Sequence, residues 1–253
     1  MQSIEAAVKA GTDKATRSLG QLFTRSVLAG AFIALGGVLS IIVGYGFPGI
    51  TAANPALQRV LSGLVFPIGL FLIVMLGADL FTGNNALLMT SLGERKITSR
   101  QVAVNWLLVW IGNFIGCLLF AYLLVYACGL LDSEPYRSAA IGIAQGKAAL
   151  SPWVTVGKGI GANWLVCMAV WLALGANTLG GKALACWIPV AAFVTLGYEH
   201  AIANMFYLPV GLMAGADVSI GSCAVNLLCA TLGNIIGGAL LVGKLFHRMY
   251  RKS

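Results

Sequence analysis

Two apolar stretches of this sequence, residues 60 to 92 and 183 to 214, are longer than one straight helix needs to cross a bilayer, and each carries glycine and a carboxylate near its middle: Gly77-Ala78-Asp79 in the first, Gly197-Tyr198-Glu199 in the second. A transmembrane helix takes about 20 residues to cover roughly 30 Å of hydrocarbon. Longer runs interrupted by an ionisable group read as helices broken at membrane depth. Non-helical backbone is tolerated there only where protein buries it or where it lines a cavity. A bundle of uninterrupted helices is thereby excluded, and the two breaks become the places where function is to be sought.

The remaining sequence has the same character. Of 253 residues 59% are hydrophobic and only 9% charged, which predicts an all-α polytopic membrane protein with no large water-exposed domain. Six spans can be placed near residues 22–45, 60–92, 102–131, 153–175, 183–214 and 221–246, the second and fifth being the broken ones. Ahead of them, residues 1–20 combine Lys9, Lys14 and Arg17 with Ile4, Val8 and Leu19, the pattern of a surface-lying amphipathic helix. Glu5 and Asp13 make these first residues too polar for a cleavable signal. A six-span domain then covers 21–247, and residues 248–253 form a tail.

The formal charge of +8 could suggest a nucleic-acid partner, but its distribution is topological. With both termini on the cytoplasmic side, twelve basic residues lie inside (Lys9, Lys14, Arg17, Arg25, Arg95, Lys96, Arg100, Lys182, Lys244, Arg248, Arg251 and Lys252) and four outside (Arg59, Arg137, Lys147 and Lys158). The positive-inside rule therefore predicts cytoplasmic termini, with the lipid bilayer as partner and no nucleic acid. The six cysteines lack CxxC spacing and read as packing residues, so no metal or cofactor is expected.

Three segments recur in order. Gly30-Ala-Phe-Ile33 pairs with Gly161-Ala-Asn-Trp164, Leu76 to Asn84 with Leu196 to Asn204, and Gly112-Asn-Phe-Ile-Gly116 with Gly233-Asn-Ile-Ile-Gly237. Repeats at about 21–131 and 150–247, each with an odd number of spans, must be oppositely oriented, and proteins built this way place the permeation site at the midplane. His200 is one of two histidines in the chain and stands opposite Leu80 in the repeat, so the breaks match in form and differ in chemistry. With Glu199 it makes an ionisable pair inside an apolar run. The more economical role for Asp79 and Glu199 is to accept hydrogen bonds from freed backbone N–H groups. Intramembrane amides such as Asn84, Asn113, Asn204 and Asn234 serve most often as interhelical glue, with Asn163, paired with Phe32 in the repeat, the candidate for the pore. Lys147 falls in an external polar loop. No zincin, nucleophile-elbow or phosphate-loop motif is present, and Asn54-Pro-Ala56 is a single water-channel tripeptide without a partner in the second half.

At Gly77-Ala-Asp-Leu-Phe-Thr-Gly-Asn84, at Gly161-Ala-Asn-Trp-Leu-Val-Cys-Met-Ala-Val-Trp171, at Gly197-Tyr-Glu-His-Ala-Ile-Ala-Asn-Met205 and at Gly233-Asn-Ile-Ile-Gly237 the chain closely resembles the formate/nitrite transporter family, over essentially its whole length. The resemblance implies an aquaporin-like fold, a homopentamer in the bacterial inner membrane and a pore in each protomer for small monovalent anions of weak acids, formate first, with nitrite and hydrosulfide as alternatives. It also implies that Leu80, Phe81 and Thr82 form the loop of the broken second span, with Phe66 and Leu70 nearby, and that Phe193 is the aromatic of the facing constriction. His200 would be the central pore histidine, Asn163 and Asn234 pore-side amides, and Lys147 a vestibule lysine that draws anions in. Asp79 stands where many members carry Glu. Passage would be passive or proton-coupled, and the N-terminal segment would gate the cytoplasmic mouth. A neutral-solute channel for water or ammonia and a membrane-embedded enzyme are the rivals from other classes.

Overall fold

Capping residues and glycines divide the apolar runs into helices in the computed structural model, which describes residues 2–250. After α1 (Gln2–Ala15), the Ser18 side chain caps α2 (Leu19–Tyr45). Proline opens the short α3 (Pro48–Thr51) and α4 (Pro55–Val65), so Asn54-Pro55-Ala56 is simply a helix start. Helix α5 (Ile68–Leu76) continues α4 and stops at Gly77, whose φ of 67° is left-handed. After the break α6 (Phe81–Gly93) begins, and a Thr98–Gln101 capping box starts α7 (Ser99–Leu119), which widens into π turns over Phe120–Tyr126. The second half repeats the plan with α8 (Tyr136–Ala148), α9 (Pro152–Gly175) and α10 (Leu179–Thr195). Gly197, at φ 69°, interrupts the next span before α11 (Ala201–Ala214). Helix α12 (Ile220–Ile235), π turns over Ile236–Lys244 and α13 (Leu245–Tyr250) complete the described residues.

Among the described residues five helical stretches are long and apolar enough to cross a membrane: Leu19–Tyr45, Pro55–Leu76, Ser99–Tyr126, Pro152–Gly175 and Ile220–Tyr250. Helices α10 and α11, of 17 and 14 residues, are shorter because they are two parts of one interrupted run. The exterior is apolar, Leu107, Ile188 and Leu228 being 64%, 65% and 64% exposed, which suits a hydrocarbon surrounding. The half-helices α6 and α11 are by contrast almost wholly buried, which is what lets α6 carry Thr82, Asn84, Asn85, Thr90 and Ser91.

Three expectations need correction. The segment before residue 150 is not a polar loop: α8 packs against α11, where a Cβ on Gly211 would meet the Ala140 carbonyl at 2.8 Å. The sixth span runs helically to Tyr250, so residues 248–250 are no tail, and 251–253 lie outside the described residues. Helix α1 does not lie free on a surface. Its Ala7 is fully buried, Gly11 abuts the Leu87 carbonyl, and Ser91 Oγ donates to the Val8 carbonyl at 2.8 Å, so its apolar stripe is used up on α6 and α9.

Each break is tied down by one asparagine. Asn113 Oδ1 accepts from Phe81 N at 2.9 Å while its Nδ2 donates to the carbonyls of Ser26 (2.8 Å) and Asp79 (2.9 Å). In the second half Asn234 Oδ1 accepts from Ala201 N at 2.8 Å and Nδ2 donates to the carbonyls of Gly159 (2.8 Å) and Glu199 (3.0 Å). Ser26 thus corresponds to Gly159, which shifts the first-span match by two residues: Asn163 corresponds to Gly30, and Leu165 to Phe32. A Gly-Ala dipeptide is too short to set that register.

The left-handed glycines give a clean test. A Cβ at Gly197 would meet nothing within 4 Å, so Gly197→Ala carries only the backbone penalty of about 1–2 kcal/mol. We expect a lower melting temperature for detergent-solubilised Gly197→Ala, and no loss for Gly180→Ala, which also has open space around it and no positive φ.

Candidate functional site

His200 occupies the last non-helical position before α11, with extended backbone, and the residue is 2% exposed. Its Nδ1 accepts from Ala203 N at 3.1 Å, capping the helix. With that nitrogen an acceptor, the ring hydrogen of the neutral imidazole resides on Nε2, which donates to Thr82 Oγ1 at 2.9 Å. The Thr82 hydroxyl keeps its own hydrogen. This bond crosses between the two breaks, from the first turn of α6 to the start of α11. Leu80, at the position matching His200, has no side chain able to cap α6. Two half-helix N-termini, each bearing partial positive charge, consequently converge on the Thr82–His200 pair.

A cavity of about 200 Å³ lies on one side of this pair, lined by Ser40, Arg59, Phe66, Lys147, Phe193, His200 and Tyr207 among others. It ends on aromatic rings: Phe66 and Phe193 meet edge to face at 5.7 Å, and Phe193 stacks on His200 at 5.7 Å. A second cavity of about 120 Å³ lies on the side of α1, lined by Lys14, Arg17, Leu70, Leu80, Gly83 and Asn84 among others. Phe66, Leu70, Leu80 and Phe193 are each at most 3% exposed. Apolar side chains thus close both cavities, and the buried Thr82 meets His200, which lines the first, from behind Leu80 and Gly83, which line the second.

Matched polar networks buttress the breaks. Lys147 Nζ donates to Glu199 Oε1 at 2.9 Å, Asn204 donates to Glu199 Oε2 at 2.7 Å and to Asn226 Oδ1 at 2.8 Å, and Asn226 donates to the Lys147 carbonyl at 2.9 Å. On the other side Lys14 Nζ donates to Asp79 Oδ1 at 2.6 Å, Arg17 pairs with Asp79 Oδ2, Asn84 donates to Asn105 Oδ1 at 3.0 Å, and Asn105 donates to the Lys14 carbonyl at 3.1 Å. Both carboxylates are buried, so the basic partners are what make their charge tolerable. Burial lowers the pKa of the Lys14 ammonium, and the Asp79 charge pulls it back up. Lys147 is therefore not a solvated loop lysine: it sits in the last turn of α8, 15% exposed, ion-paired and 5.5 Å over the Tyr207 ring.

The structure brings His200, Thr82, Glu199 and Lys147 together, along with Phe66, Phe193, Leu70 and Leu80. Three expected site residues point elsewhere. Asn163 Nδ2 is engaged by the carbonyls of Asn234 (2.6 Å) and Thr82 (3.2 Å) and by Asn85 Oδ1 (3.0 Å), and Asn234 is fully used in its backbone knot, so both amides act as glue. Phe81 packs its ring edge to face on Trp106 at 6.2 Å, away from His200. Sequence reasoning missed Asn105 and Asn226, although each stands eight positions before the matched Asn113 and Asn234. It also missed Tyr207, whose hydroxyl is 2.5 Å from Ser40 Oγ. Since Ser40 Oγ donates to the Gly37 carbonyl at 2.7 Å, Tyr207 is the donor in that pair. Among the described residues no group of three His, Cys, Asp or Glu could hold a metal ion.

Residues 1–248 match the family model described as formate/nitrite transporter. The chain is 41% identical over 248 residues to the uncharacterized transporter YrhG of Bacillus subtilis, covering 98% of this chain and 92% of that one. It is 38% identical over 251 residues to the formate channel BtFdhC of Bacillus thuringiensis, covering 99% and 95%. Its fold also superposes on a solved pentameric formate channel with formate bound at a TM-score of 0.81, with 29% identity, covering 92% of this chain and 98% of the other. These are transporters and channels, so the enzyme reading falls. With the broken helices, the two cavities and a match running through nearly every residue, the chain belongs to the formate/nitrite transporter family.

Proposed function

We propose that the chain is a channel for small monovalent anions of weak acids, formate first, working as a homopentamer in a bacterial inner membrane with both termini cytoplasmic and a pore in each protomer. The observation that carries this reading is the buried Thr82–His200 hydrogen bond where the two breaks meet, with His200 lining one cavity and Leu80 and Gly83, the neighbours of Thr82 in sequence, lining the other. An anion stripped of water between Phe66, Phe193, Leu70 and Leu80 loses several kcal/mol of hydration, and the corresponding neutral acid loses much less. The same burial raises the acid's pKa, so entry favours uptake of a proton by the substrate.

The pair would meet the substrate as a hydrogen-bond donor. His200 Nε2–H points at Thr82 Oγ1, which leaves the threonine hydrogen free for a substrate oxygen. Forming an imidazolium would place a hydrogen on Nδ1 against the Ala203 N–H and forfeit the helix cap. We therefore favour pairing with the substrate over proton relay by His200. Formate is put first because the relative BtFdhC and the solved neighbour are formate channels. Nitrite and hydrosulfide share the chemistry.

Reconstituted in proteoliposomes, Thr82→Val, which keeps the shape and removes the hydroxyl, should lower formate flux about tenfold, the worth of one hydrogen bond near 1.4 kcal/mol. His200→Ala should lower flux and change its pH dependence. Unchanged rate and pH dependence in His200→Ala would sink the proposal. Competition among formate, nitrite and hydrosulfide in the same vesicles ranks the substrates.

Helix α1 would act as a cover on the inner cavity, because Lys14 and Arg17 line it and hold Asp79. Lys14→Gln with Arg17→Gln should raise flux or flatten its pH profile. If neither this variant nor a deletion of residues 1–19 alters flux at any pH, α1 has no gating role.

A further inference from the structure

The outer cavity contains three side chains that carry formal charge, Arg59, Lys147 and Glu199. Lys147 and Glu199 neutralise one another at 2.9 Å and are 15% and 4% exposed, so the lysine offers an approaching anion little uncompensated charge. Arg59 differs. It is exposed, and among the described residues its guanidinium has no ion pair or hydrogen bond; its backbone carbonyl accepts from Thr195 Oγ1 at 3.5 Å. The neutral His200 tautomer adds no charge, so the net positive charge of this cavity is that of Arg59.

Its position on α4 suits a receiving role. Arg59, Ser62 and Phe66 follow one another at helical spacing and all line the cavity, giving a ladder from charge through hydroxyl to the aromatic constriction. Seven residues of helix put Arg59 about 10 Å from Phe66 along the axis. Between them Gln58 Nε2 donates to Ser62 Oγ at 3.0 Å, which in turn donates to the Ser40 carbonyl at 2.9 Å. The Tyr45 and Tyr198 phenols share the lining.

We infer that Arg59 captures anions at the outer mouth before they reach Lys147, and that its planar fork favours two-oxygen anions such as formate and nitrite over hydrosulfide. The inference rests on the anion-channel reading. A guanidinium can meet a carboxylate-like anion through two parallel hydrogen bonds, which a single-atom anion or a lysine ammonium cannot reproduce. An exposed charge at a cavity mouth raises the local concentration of its counter-ion and is screened by salt within about 8 Å at physiological ionic strength.

The experiment measures initial uptake into proteoliposomes, oriented so that the outer cavity faces the bath, at roughly 10 mM and roughly 300 mM ionic strength. The intact chain should show a half-saturating formate concentration that rises with salt. Arg59→Gln should raise that concentration about three- to tenfold at low salt, leave maximal flux near that of the intact chain, and abolish most of the salt dependence. Arg59→Lys should restore the salt dependence while losing preference for nitrite over hydrosulfide in competition. Melting temperatures in detergent check that both variants are folded, which the exposure of Arg59 favours. Arg59→Gln with an unaltered half-saturating concentration and salt profile overturns the capture role, and Arg59→Lys with unaltered competition overturns the two-oxygen preference. If the intact chain carries none of the three anions, the channel reading itself falls and takes this inference with it.

Discussion

A backbone broken in the middle of a membrane must find its hydrogen-bond partners inside the protein, and most of this fold follows from how that demand is met. At each break one asparagine side chain does the work of the lost helical turn, accepting from the first N–H of the new half-helix and donating to carbonyls on either side. Asn113 and Asn234 stand on α7 and α12, and a Cβ at Gly116 or Gly237 on the same faces would collide with the Val27 or Ile160 carbonyl. Close helix approach and amide bridging are thus one device: without the glycines, the asparagines could not reach.

The same scaffold explains why chemistry concentrates at one point. The two breaks share their glycine turn, their carboxylate, their bridging asparagine and a lysine counter-ion. They part company at the residue that starts each half-helix, Leu80 on one side and His200 on the other. His200 satisfies its own helix through Nδ1 and is left with a single outward hydrogen, whereas Leu80 presents only hydrocarbon. Two nearly equivalent electropositive helix ends therefore face one donor pair, while the Asn113, Asn163 and Asn234 amides are engaged in holding the breaks.

Much of this is legible in the sequence, for identifiable reasons. The breaks are readable because a carboxylate beside glycine in an apolar run is too costly in hydrocarbon unless freed backbone is there to receive it, and His200 stands out against Leu80 once the halves are matched. Asn163 misleads because the Gly-Ala dipeptide puts it opposite Phe32; the hydrogen bonds set it opposite Gly30, where it braces three segments. Lys147 reads as a loop residue because α8, with Gly142, Gln145, Gly146 and Lys147, lacks a long apolar face. Its helix is stabilised by packing of Ala140 and Ala144 against α11, a tertiary effect that no local pattern records. Phe81 adjoins Leu80 in sequence but turns away because its backbone N–H must reach Asn113.

The second histidine shows how far the site depends on the chain's ends. His247, on α13, lies over Gly93 and pairs with Glu94 at 2.5 Å, where α6 finishes. Trp171 of α9 receives Phe246 edge to face at 5.3 Å. Helix α1 seats on the same C-terminal part of α6 through Gly11 and Ser91, and both terminal helices contribute to one apolar cluster around Ala86, Leu87 and Trp171. Helix α6 is too short to be anchored by its own span and carries Thr82 in its first turn. Its far end is therefore fixed by the two termini and its near end by Asn113 and His200, so the hydroxyl that meets His200 is positioned from both ends of the sequence at once.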